Sequence, residues 1–425
     1  MKRIALITTF IITPFLHADN WPQWRGPHND GVSKEKGLPA TWSMTKNLAW
    51  KLDLPGKGAS TPVIWGDRIF LTGSENADLM LWCISSTKGT LLWKKKIATE
   101  TAASYRKDES NQASPSPSTD GKNVFVFTGS GDFKSFDYDG NEVWHFNVQE
   151  RYQKKFSMYH GIHVTPWLHE DRLYMNLIHT NGHWVFAVEK ATGKQVWKID
   201  RPSDAIGESR ESYASPCLWK NNGEWNVVVL GADYTTGHRI SDGKEVWRLT
   251  DLNPKGPKYS NALRIIASPV ASADQLYVPT ARNGLFVTLK QGASGTIKAG
   301  GQHEAWRIVK GAPDVPSPLY HDGLVYLQGA DGFMSVVDAK SGNLVYREEV
   351  TRERYRASPT YADGKIYVIG RDSSTVTVLQ AGPKFKVLGT NVMAGDPIPG
   401  SPVVSNGRLY IRAFTTLYAI SEGGK

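Results

Sequence analysis

Histidines are concentrated in one stretch of this chain. Five of the 11 histidines fall within 24 residues, at positions 160–183, and four of them are candidate site residues: His160, His163, His179 and His183. Imidazole groups gathered in this way can bind a transition metal or transfer protons. Their spacing does not match a zinc-binding helix, and the sequence contains no His-Glu-x-x-His. We therefore assign no catalytic or metal-ligating residue. We expect these histidines and the neighbouring Tyr159 to lie on a ligand-binding face, and hydrogen-bonded histidines on a merely polar surface are the alternative.

Five arginines form a second group of residues that could bind a ligand. They flank short apolar segments at Arg264, Arg282, Arg356, Arg371 and Arg412. A guanidinium group forms paired hydrogen bonds with carboxylate, sulfate or phosphate, so the group predicts an anionic ligand. Tyr213 belongs to the same expected face, where an aromatic ring could stack on a sugar. The alternative is salt bridging within the protein, with Asp314, Asp331 and Asp372 as acidic partners.

A repeated dipeptide shows which elements must position these residues. A Ser-Pro or Thr-Pro pair precedes an apolar run eight times, at intervals of 41 to 53 residues. A fixed period of this size is typical of a solenoid or a propeller. The pairs begin at Thr61, Ser114, Thr165, Ser215, Ser268, Ser317, Ser358 and Ser401.

Each repeat contains four short segments rich in Val, Leu, Tyr and Trp. Turn dipeptides such as Asp322-Gly323 and Ser341-Gly342 separate these segments and favour tight hairpins between strands. We name the strands A, B, C and D in order. An aromatic residue in strand D should fill the wedge between neighbouring four-stranded blades. These docking residues are Trp50, Trp93, Trp144, Trp197, Trp247, Trp306 and Tyr346.

The two ends of the chain predict how the ring closes. The eighth repeat stops after strand C, at Thr416–Ile420, while a Trp-bearing segment, Asn47–Leu52, precedes the first strand A. We expect this N-terminal segment to complete the last blade, which removes two exposed sheet edges. The fold prediction is therefore all-β, an eight-bladed propeller of four-stranded antiparallel blades.

Two motifs resemble a known family. The segment Ala187–Trp197 is similar to the tryptophan-docking repeat of PQQ-type propellers, and Trp21–Ser33 resembles the N-terminal signature of bacterial PQQ-binding-like propeller repeat proteins. That group includes quinoprotein dehydrogenases and the outer-membrane assembly scaffold of the BAM complex. The dehydrogenases carry an adjacent Cys-Cys pair and calcium-binding and catalytic acidic residues, none of which we can match here. We therefore predict no cofactor, although the resemblance leaves PQQ open.

The chain divides into three parts. Residues 1–18 have the basic start and short apolar core of a secretory signal peptide, so we expect export to the periplasm or the extracellular space. Residues 19–46 should pack on the propeller, and residues 47–425 should form it. Cleavage after Ala18 would remove Lys2 and Arg3 and lower the formal charge from +9 to +7. No basic run suggests a nucleic-acid partner, and no later segment suggests a membrane span. We expect a monomer with two buried thiols, Cys83 and Cys217.

Strand order also predicts where a site should lie. The B–C turns and the D-to-A connections share one face, and several of these connections are long. Long loops on a rigid scaffold commonly carry binding residues. The sequence leaves open whether the protein is an enzyme, but it favours a binding or scaffold module with a protein, an anionic small molecule or a glycan as its partner. The alternatives are a quinoprotein-like oxidoreductase and an enzyme or lectin acting on anionic polysaccharide.

Overall fold

The computed structural model describes residues 20–101, 105, 109–393 and 395–424. Eight antiparallel sheets are arranged as the blades of a propeller around a central channel, which confirms the predicted fold. Within each blade, strand A lies innermost and strand D outermost. The B–C turns and D–A connections form what we call the upper face, and the A–B and C–D turns form the lower face.

The strands occur in regular order along the chain. The first half contains β1 (Leu48–Asp53), β2 (Val63–Trp65), β3 (Arg68–Glu75), β4 (Asp78–Ser85), β5 (Leu91–Thr99), β6 (Ser118–Thr119), β7 (Asn123–Phe127), β8 (Asp132–Asp137), β9 (Glu142–Asn147), β10 (Trp167–His169), β11 (Arg172–His179), β12 (Gly182–Glu189), β13 (Gln195–Asp200), β14 (Cys217–Asn221), β15 (Glu224–Gly231), β16 (Tyr234–Arg239) and β17 (Glu245–Leu249). The second half contains β18 (Val270–Ala271), β19 (Gln275–Pro279), β20 (Phe286–Lys290), β21 (Gly295–Ile297), β22 (Glu304–Ile308), β23 (Leu319–His321), β24 (Leu324–Gln328), β25 (Phe333–Asp338), β26 (Leu344–Glu349), β27 (Thr360–Ala362), β28 (Lys365–Gly370), β29 (Thr375–Gln380), β30 (Val387–Val392), β31 (Val403–Ser405), β32 (Arg408–Arg412) and β33 (Thr416–Ile420). A helical turn, α1 (Val148–Arg151), and a 3₁₀ turn, Gly207–Arg210, complete the regular elements.

Ring closure follows the predicted arrangement. Strand β1 pairs antiparallel with β33 and becomes the outer strand of the eighth blade, in the order β1-β33-β32-β31. Trp50 of β1 then contacts Tyr410 of the same blade, with ring centroids 5.9 Å apart. The two ends of the propeller are therefore held together by one continuous sheet.

The repeated Ser-Pro and Thr-Pro pairs form a closed circle of hydrogen bonds around the channel. In each blade, the backbone N–H of the Ser or Thr donates to the hydroxyl oxygen of its counterpart in the next blade, over 2.9 to 3.3 Å. We call these residues the hydroxyl ring; they are Thr61, Ser116, Thr165, Ser215, Ser268, Ser317, Ser358 and Ser401.

The second blade corrects one repeat assignment. The sequence contains two consecutive pairs, Ser114-Pro115 and Ser116-Pro117, and the repeat prediction uses the first. The structure places Ser116 in the hydroxyl ring, where its oxygen accepts the N–H of Thr61. The Ser114 hydroxyl instead accepts the N–H of Asn111 within the preceding connection. The spacing pattern could not separate the two because they differ by only two residues.

Most of the predicted docking aromatics bridge neighbouring blades in one way. The indole N–H donates to a backbone carbonyl in the next C–D turn, at 2.8 to 3.0 Å, for Trp50, Trp93, Trp144, Trp197 and Trp306. Each indole lies over a glycine of that turn, which leaves no room for a side chain. Tyr346 instead contacts Phe385 of the seventh blade edge-on.

Trp247 departs from this docking pattern. Its indole N–H donates to the Asn226 side chain within its own blade. The place beside its strand β17 is taken by β21, which adds to the fourth blade as a fifth, parallel strand. This extra strand arises within the long connection between strands C and D of the fifth blade, where no strand was predicted from the sequence.

Residues 20–46, which we call the N-terminal strap, run across the lower end of the channel. Trp21 is 1% exposed and exchanges two backbone hydrogen bonds with Ile64 in the first blade. The strap then contacts the second and third blades through Pro22 and Gln23. Farther along, the Glu35 carboxylate accepts backbone N–H groups in the eighth blade. The strap thereby closes the lower end of the channel.

Two further features concern the thiols and the helices. Cys83 in β4 and Cys217 in β14 are free and buried in the first and fourth blades. Burial raises the pKa of both thiols to about 12. Across the part of the chain that the structure describes, no helix has the length and apolar character needed to cross a membrane.

Candidate functional site at the channel mouth

A cavity of about 220 Å³ opens at the upper end of the channel. We call it the mouth pocket; it is lined by Ala59, Glu109, Ser110, Ser114, His160, His163, Tyr213, Arg264, Ile266, Val315, Arg356 and Pro399. These residues lie in the connections that precede strand A, so successive blades present them to the axis. Among the residues predicted from sequence, the fold brings together His160, His163, Tyr213, Arg264 and Arg356.

His163 is a half-buried, neutral imidazole in the pocket wall. Its Nε2 lies 2.8 Å from the carbonyl oxygen of His160, and because a carbonyl can only accept, Nε2 carries the proton. Tyr105 packs edge-on against the ring, with centroids 5.3 Å apart. Burial lowers the pKa of His163 to about 4, so the group stays uncharged near neutral pH.

Two arginines supply positive charge to the pocket. Arg264 Nη2 and Arg356 Nη1 lie 3.9 Å and 4.0 Å from the two oxygens of the buried Asp314 carboxylate. These separations are longer than charge-assisted hydrogen bonds, which measure about 2.7–2.9 Å. Asp314 therefore balances charge without occupying the guanidinium donors closely.

Each arginine also has a second neighbour at the mouth. Arg264 Nη1 lies 3.5 Å from His160 Nε2, while the Arg264 Nε is buried and has no hydrogen-bond partner among the described residues. Arg356 Nη2 donates to Glu109 over 3.3 Å. Glu109 also accepts from Arg354 over 3.1 Å and so links the first D–A connection to the sixth.

A fixed acid orients the tyrosine of the pocket. The Tyr213 hydroxyl donates to Glu211 over 2.9 Å, and the same carboxylate accepts from the backbone N–H of Tyr159 over 3.0 Å. Burial, and then the Glu211 charge, raise the pKa of Tyr213 well above its usual range. Tyr213 therefore contributes a neutral aromatic ring, held near both His160 and His163.

The other predicted site residues lie away from this pocket. His179 is buried edge-on against Phe156 and Trp184, and burial lowers its pKa to about 4. His183 belongs to the same B–C hairpin, and burial likewise lowers its pKa to about 4. Tyr159 is 62% exposed on the upper face. The four candidate histidines, which are close in sequence, therefore form two separate pairs in the structure.

Three of the predicted arginines are separated from the mouth pocket for a common reason. Arg412 ends strand B of its blade, and Arg282 and Arg371 come just after strand B, so none of the three lines the mouth pocket. Arg371 donates to Asp372 over 2.6 Å, whereas Arg412 is fully buried and donates to Ser60 and Thr72 backbone oxygens. Arg282 lines a separate surface groove between the fifth and sixth blades, with Asp331 on the opposite side.

Sequence reasoning missed two kinds of pocket residue. Glu109 lies in a loop that was recognised only by its length, and no motif marked its carboxylate. Trp24 was expected only to pack on the propeller, but it lines the deeper part of the channel together with the hydroxyl ring. A tryptophan that follows a predicted export signal and precedes the first strand gave no indication of this axial position.

The described residues of the mouth pocket do not form a metal-ion site. Within the ranges described above, no three His, Cys, Asp or Glu side chains are grouped so that they could hold a metal ion. The two thiols lie in separate blades and neither lines the mouth pocket. The pocket's charged lining consists of Glu109, Arg264 and Arg356, which suits a ligand's acidic group better than a cation.

Comparison with known proteins agrees with this fold. The family model described as outer membrane protein assembly factor BamB matches residues 32–175, 134–294 and 278–425. The chain belongs to this BamB family. No curated protein matches the sequence significantly.

Solved structures of BamB and of dehydrogenases share the propeller. BamB from Moraxella catarrhalis is 13% identical with a TM-score of 0.63, over 88% of this chain and 99% of that one. A europium-containing methanol dehydrogenase is 12% identical with a TM-score of 0.66, over 92% and 89%. A quinohemoprotein alcohol dehydrogenase from Comamonas testosteroni is 14% identical with a TM-score of 0.67, over 96% and 81%. Identities this low establish the fold alone.

Proposed function

We propose that this protein is an exported binding propeller that holds an acidic group of its partner in the mouth pocket. The observation that carries the proposal is the convergence of Arg264 and Arg356 on the pocket, with Asp314 set back at 3.9 and 4.0 Å. A carboxylate, sulfate or phosphate entering between the two guanidinium groups could accept shorter hydrogen bonds than Asp314 does. Tyr213 would lie beside the bound group.

The remaining pocket chemistry supports binding rather than catalysis. A general base needs a pKa near the working pH, but burial lowers the pKa of His163 to about 4. The Tyr213 hydroxyl is already committed to Glu211. Neither His163 nor Tyr213 is therefore available as the reactive group that an enzyme acting on anionic polysaccharide or a quinoprotein-like oxidoreductase would need. We therefore infer recognition, with selectivity for negative charge.

The sequence and the family support the export and the partner class in this proposal. Under this proposal residues 1–18 are a signal peptide that is removed, residues 19–46 are the segment that contains the strap, and residues 47–425 form one monomeric propeller outside the cytoplasm. The family description names outer membrane protein assembly. The partner is then an exported protein or a glycan that presents an acidic group to the upper face.

The proposal is tested with arrays of oligosaccharides and peptides in matched sulfated, carboxylated and neutral forms. We expect binding to the anionic members and a loss of roughly tenfold, which corresponds to about 1.4 kcal/mol, for Arg264→Gln and for Arg356→Gln. Arg282→Gln is the matched control because it removes the same charge from the same face, outside the pocket. Equal binding of neutral members, or an equal loss in the control, would contradict the proposal.

A further inference from the structure

The hydroxyl ring has an unused set of donors. Each ring oxygen already accepts a backbone N–H from the preceding blade. None of the eight hydroxyls donates its own hydrogen to an acceptor among the described residues, although all eight line the channel between the mouth pocket and Trp24. A buried hydroxyl that does not donate favours a ligand that accepts hydrogen bonds.

The floor beneath the ring carries a buried cation. Arg25 is 2% exposed, and its Nη2 donates to the carbonyl oxygens of Pro318 over 2.6 Å and Asp30 over 2.8 Å. Its Nε and Nη1 are buried and have no partner in the described part of the chain. Burial lowers the pKa of Arg25 to about 10, which leaves it charged at neutral pH. Its guanidinium lies 5.9 Å from the ring centre of Trp24, the residue that closes the channel.

A second buried cation lies directly behind the ring. Arg412 donates from Nη1 to the carbonyl oxygens of Ser60 and Thr72, each over 2.8 Å, where the eighth and first blades meet. Its Nε and Nη2 are buried without a hydrogen-bond partner in the described residues. Neither Arg25 nor Arg412 forms an ion pair with a described carboxylate. The Asp30 carboxylate attracts Arg25 from farther away, and the Trp82 ring faces Arg412 at 5.8 Å, so each charge is only partly compensated. A partly compensated buried charge is costly, and a nearby anion in low dielectric would offset that cost.

We propose that the closed channel between the hydroxyl ring and Trp24 binds an anion, held by ring O–H donors and balanced by Arg25 and Arg412. The strap makes the channel blind at its lower end, so the anion enters through the mouth pocket. The same chemistry has two sources: a free inorganic anion, or the acidic end of a larger ligand that also contacts the mouth. Only the second source depends on the function proposed above.

The first experiment measures thermal unfolding of the full mature chain with bromide as the probe. Sodium bromide is compared with sodium gluconate at equal ionic strength, because a site that binds only the folded state stabilises it in proportion to ln(1 + [L]/Kd). We expect the melting temperature to rise with bromide relative to gluconate, and Arg25→Met to abolish that rise. Arg201→Met is the matched control, since Arg201 is also fully buried with an unpartnered Nη1 but donates to Thr236 and Tyr234 instead of the strap and ring.

The second experiment locates the anion and remains informative if Arg25→Met does not fold. Crystals soaked in sodium bromide should show anomalous density on the channel axis beside the ring hydroxyls. Ser268→Ala, which removes one O–H, should lower bromide occupancy, whereas Ser268→Thr should retain it because threonine already serves in the ring at Thr61 and Thr165. Bromide bound only at the mouth or the surface, or an equal effect of Ser268→Ala and Ser268→Thr, would overturn the proposal.

Variants of the mouth pocket distinguish a free inorganic anion from the acidic end of a larger ligand. Arg264→Gln should leave the bromide density on the channel axis unchanged if a free anion fills the channel, even when it abolishes binding on the arrays. If bromide competes with an array-selected acidic ligand in the wild type, the channel accepts that ligand's acidic end. Failure of the array test with retained bromide binding would refute the mouth proposal and leave the channel site standing.

Discussion

One tryptophan packs on one glycine where two neighbouring blades meet. Adding a single methyl group to that glycine tests how much this contact stabilises the docking of the blades. Trp197 of the third blade lies over Gly243 in the C–D turn of the fourth, and its indole N–H donates to Ile240 over 3.0 Å. A Cβ placed on Gly243 would lie 2.5 Å from the indole, closer than carbon atoms can approach. Gly243→Ala must therefore displace Trp197 from this turn.

The size of the effect follows from two contributions. Gly243 has φ +76°, so an alanine there costs about 1–2 kcal/mol in backbone strain alone. Displacing the indole adds the loss of its hydrogen bond, about 0.5–1.5 kcal/mol, and some of its packing. Gly364 has nearly the same φ, +70°, but apart from its own chain neighbours no described residue lies within 4 Å of the position that a Cβ would take there. Gly364→Ala therefore isolates the strain, and we expect Gly243→Ala to lose about 1–3 kcal/mol more.

The assay is equilibrium unfolding in urea, followed by the fluorescence and the far-ultraviolet circular dichroism of both variants. If fluorescence and circular dichroism report the same transition for each variant, the free energies of unfolding can be compared. Trp197→Leu should lower the free energy of unfolding less in the Gly243→Ala background than in the wild type, because the two residues share one contact. Equal destabilisation by Gly243→Ala and Gly364→Ala would refute the reasoning, since the clash would then contribute nothing.

Three further outcomes follow from the structure. Ser116→Ala should destabilise the protein by about 1–3 kcal/mol because the buried N–H of Thr61 loses its acceptor. Ser114→Ala, which removes only the acceptor for Asn111, should destabilise the protein clearly less, and urea unfolding midpoints measure both effects. His163 should not titrate between pH 5 and 8 by side-chain nitrogen NMR, since burial lowers its pKa to about 4. Its unfolded form binds more protons between pH 4 and 6.5, so stability should fall as the pH drops through that window, and less steeply in His163→Gln. Cys83 and Cys217, whose pKa values burial raises to about 12, should react with a thiol reagent only after unfolding; modification of either thiol in the native protein would contradict this burial.

The fold could be predicted from sequence because its determinants are local and repeated. Each blade carries its own turn dipeptides and its own docking aromatic, so a period was visible without any knowledge of long-range contacts. The failures occurred where this local signal is ambiguous or interrupted. Ser114 and Ser116 are both followed by proline, and only the hydrogen bond from Thr61 distinguishes them. Trp247 carries the docking residue type, but an inserted parallel strand occupies the neighbouring place.

The site was predicted in part, and position within the blade explains which part. Residues that precede strand A lie near the axis, and His160, His163, Arg264 and Arg356 meet there. Residues after strand B or at the B–C turn lie farther out, and His179, for example, is buried between aromatic rings. Closeness in sequence within one blade thus does not bring side chains together at the channel, whereas equivalent positions in different blades do.

The strap could not be derived from the repeat because it belongs to no blade. Arg25 lies beside Trp24 in sequence, yet its hydrogen bond to Pro318 spans 293 residues. No periodicity or local turn signal specifies such a contact, which forms only when the sixth blade is already in place. A charged residue buried at this point stabilises the fold poorly unless something compensates its charge. The Asp30 carboxylate compensates Arg25 only in part, and the anion proposed for the channel would supply the rest.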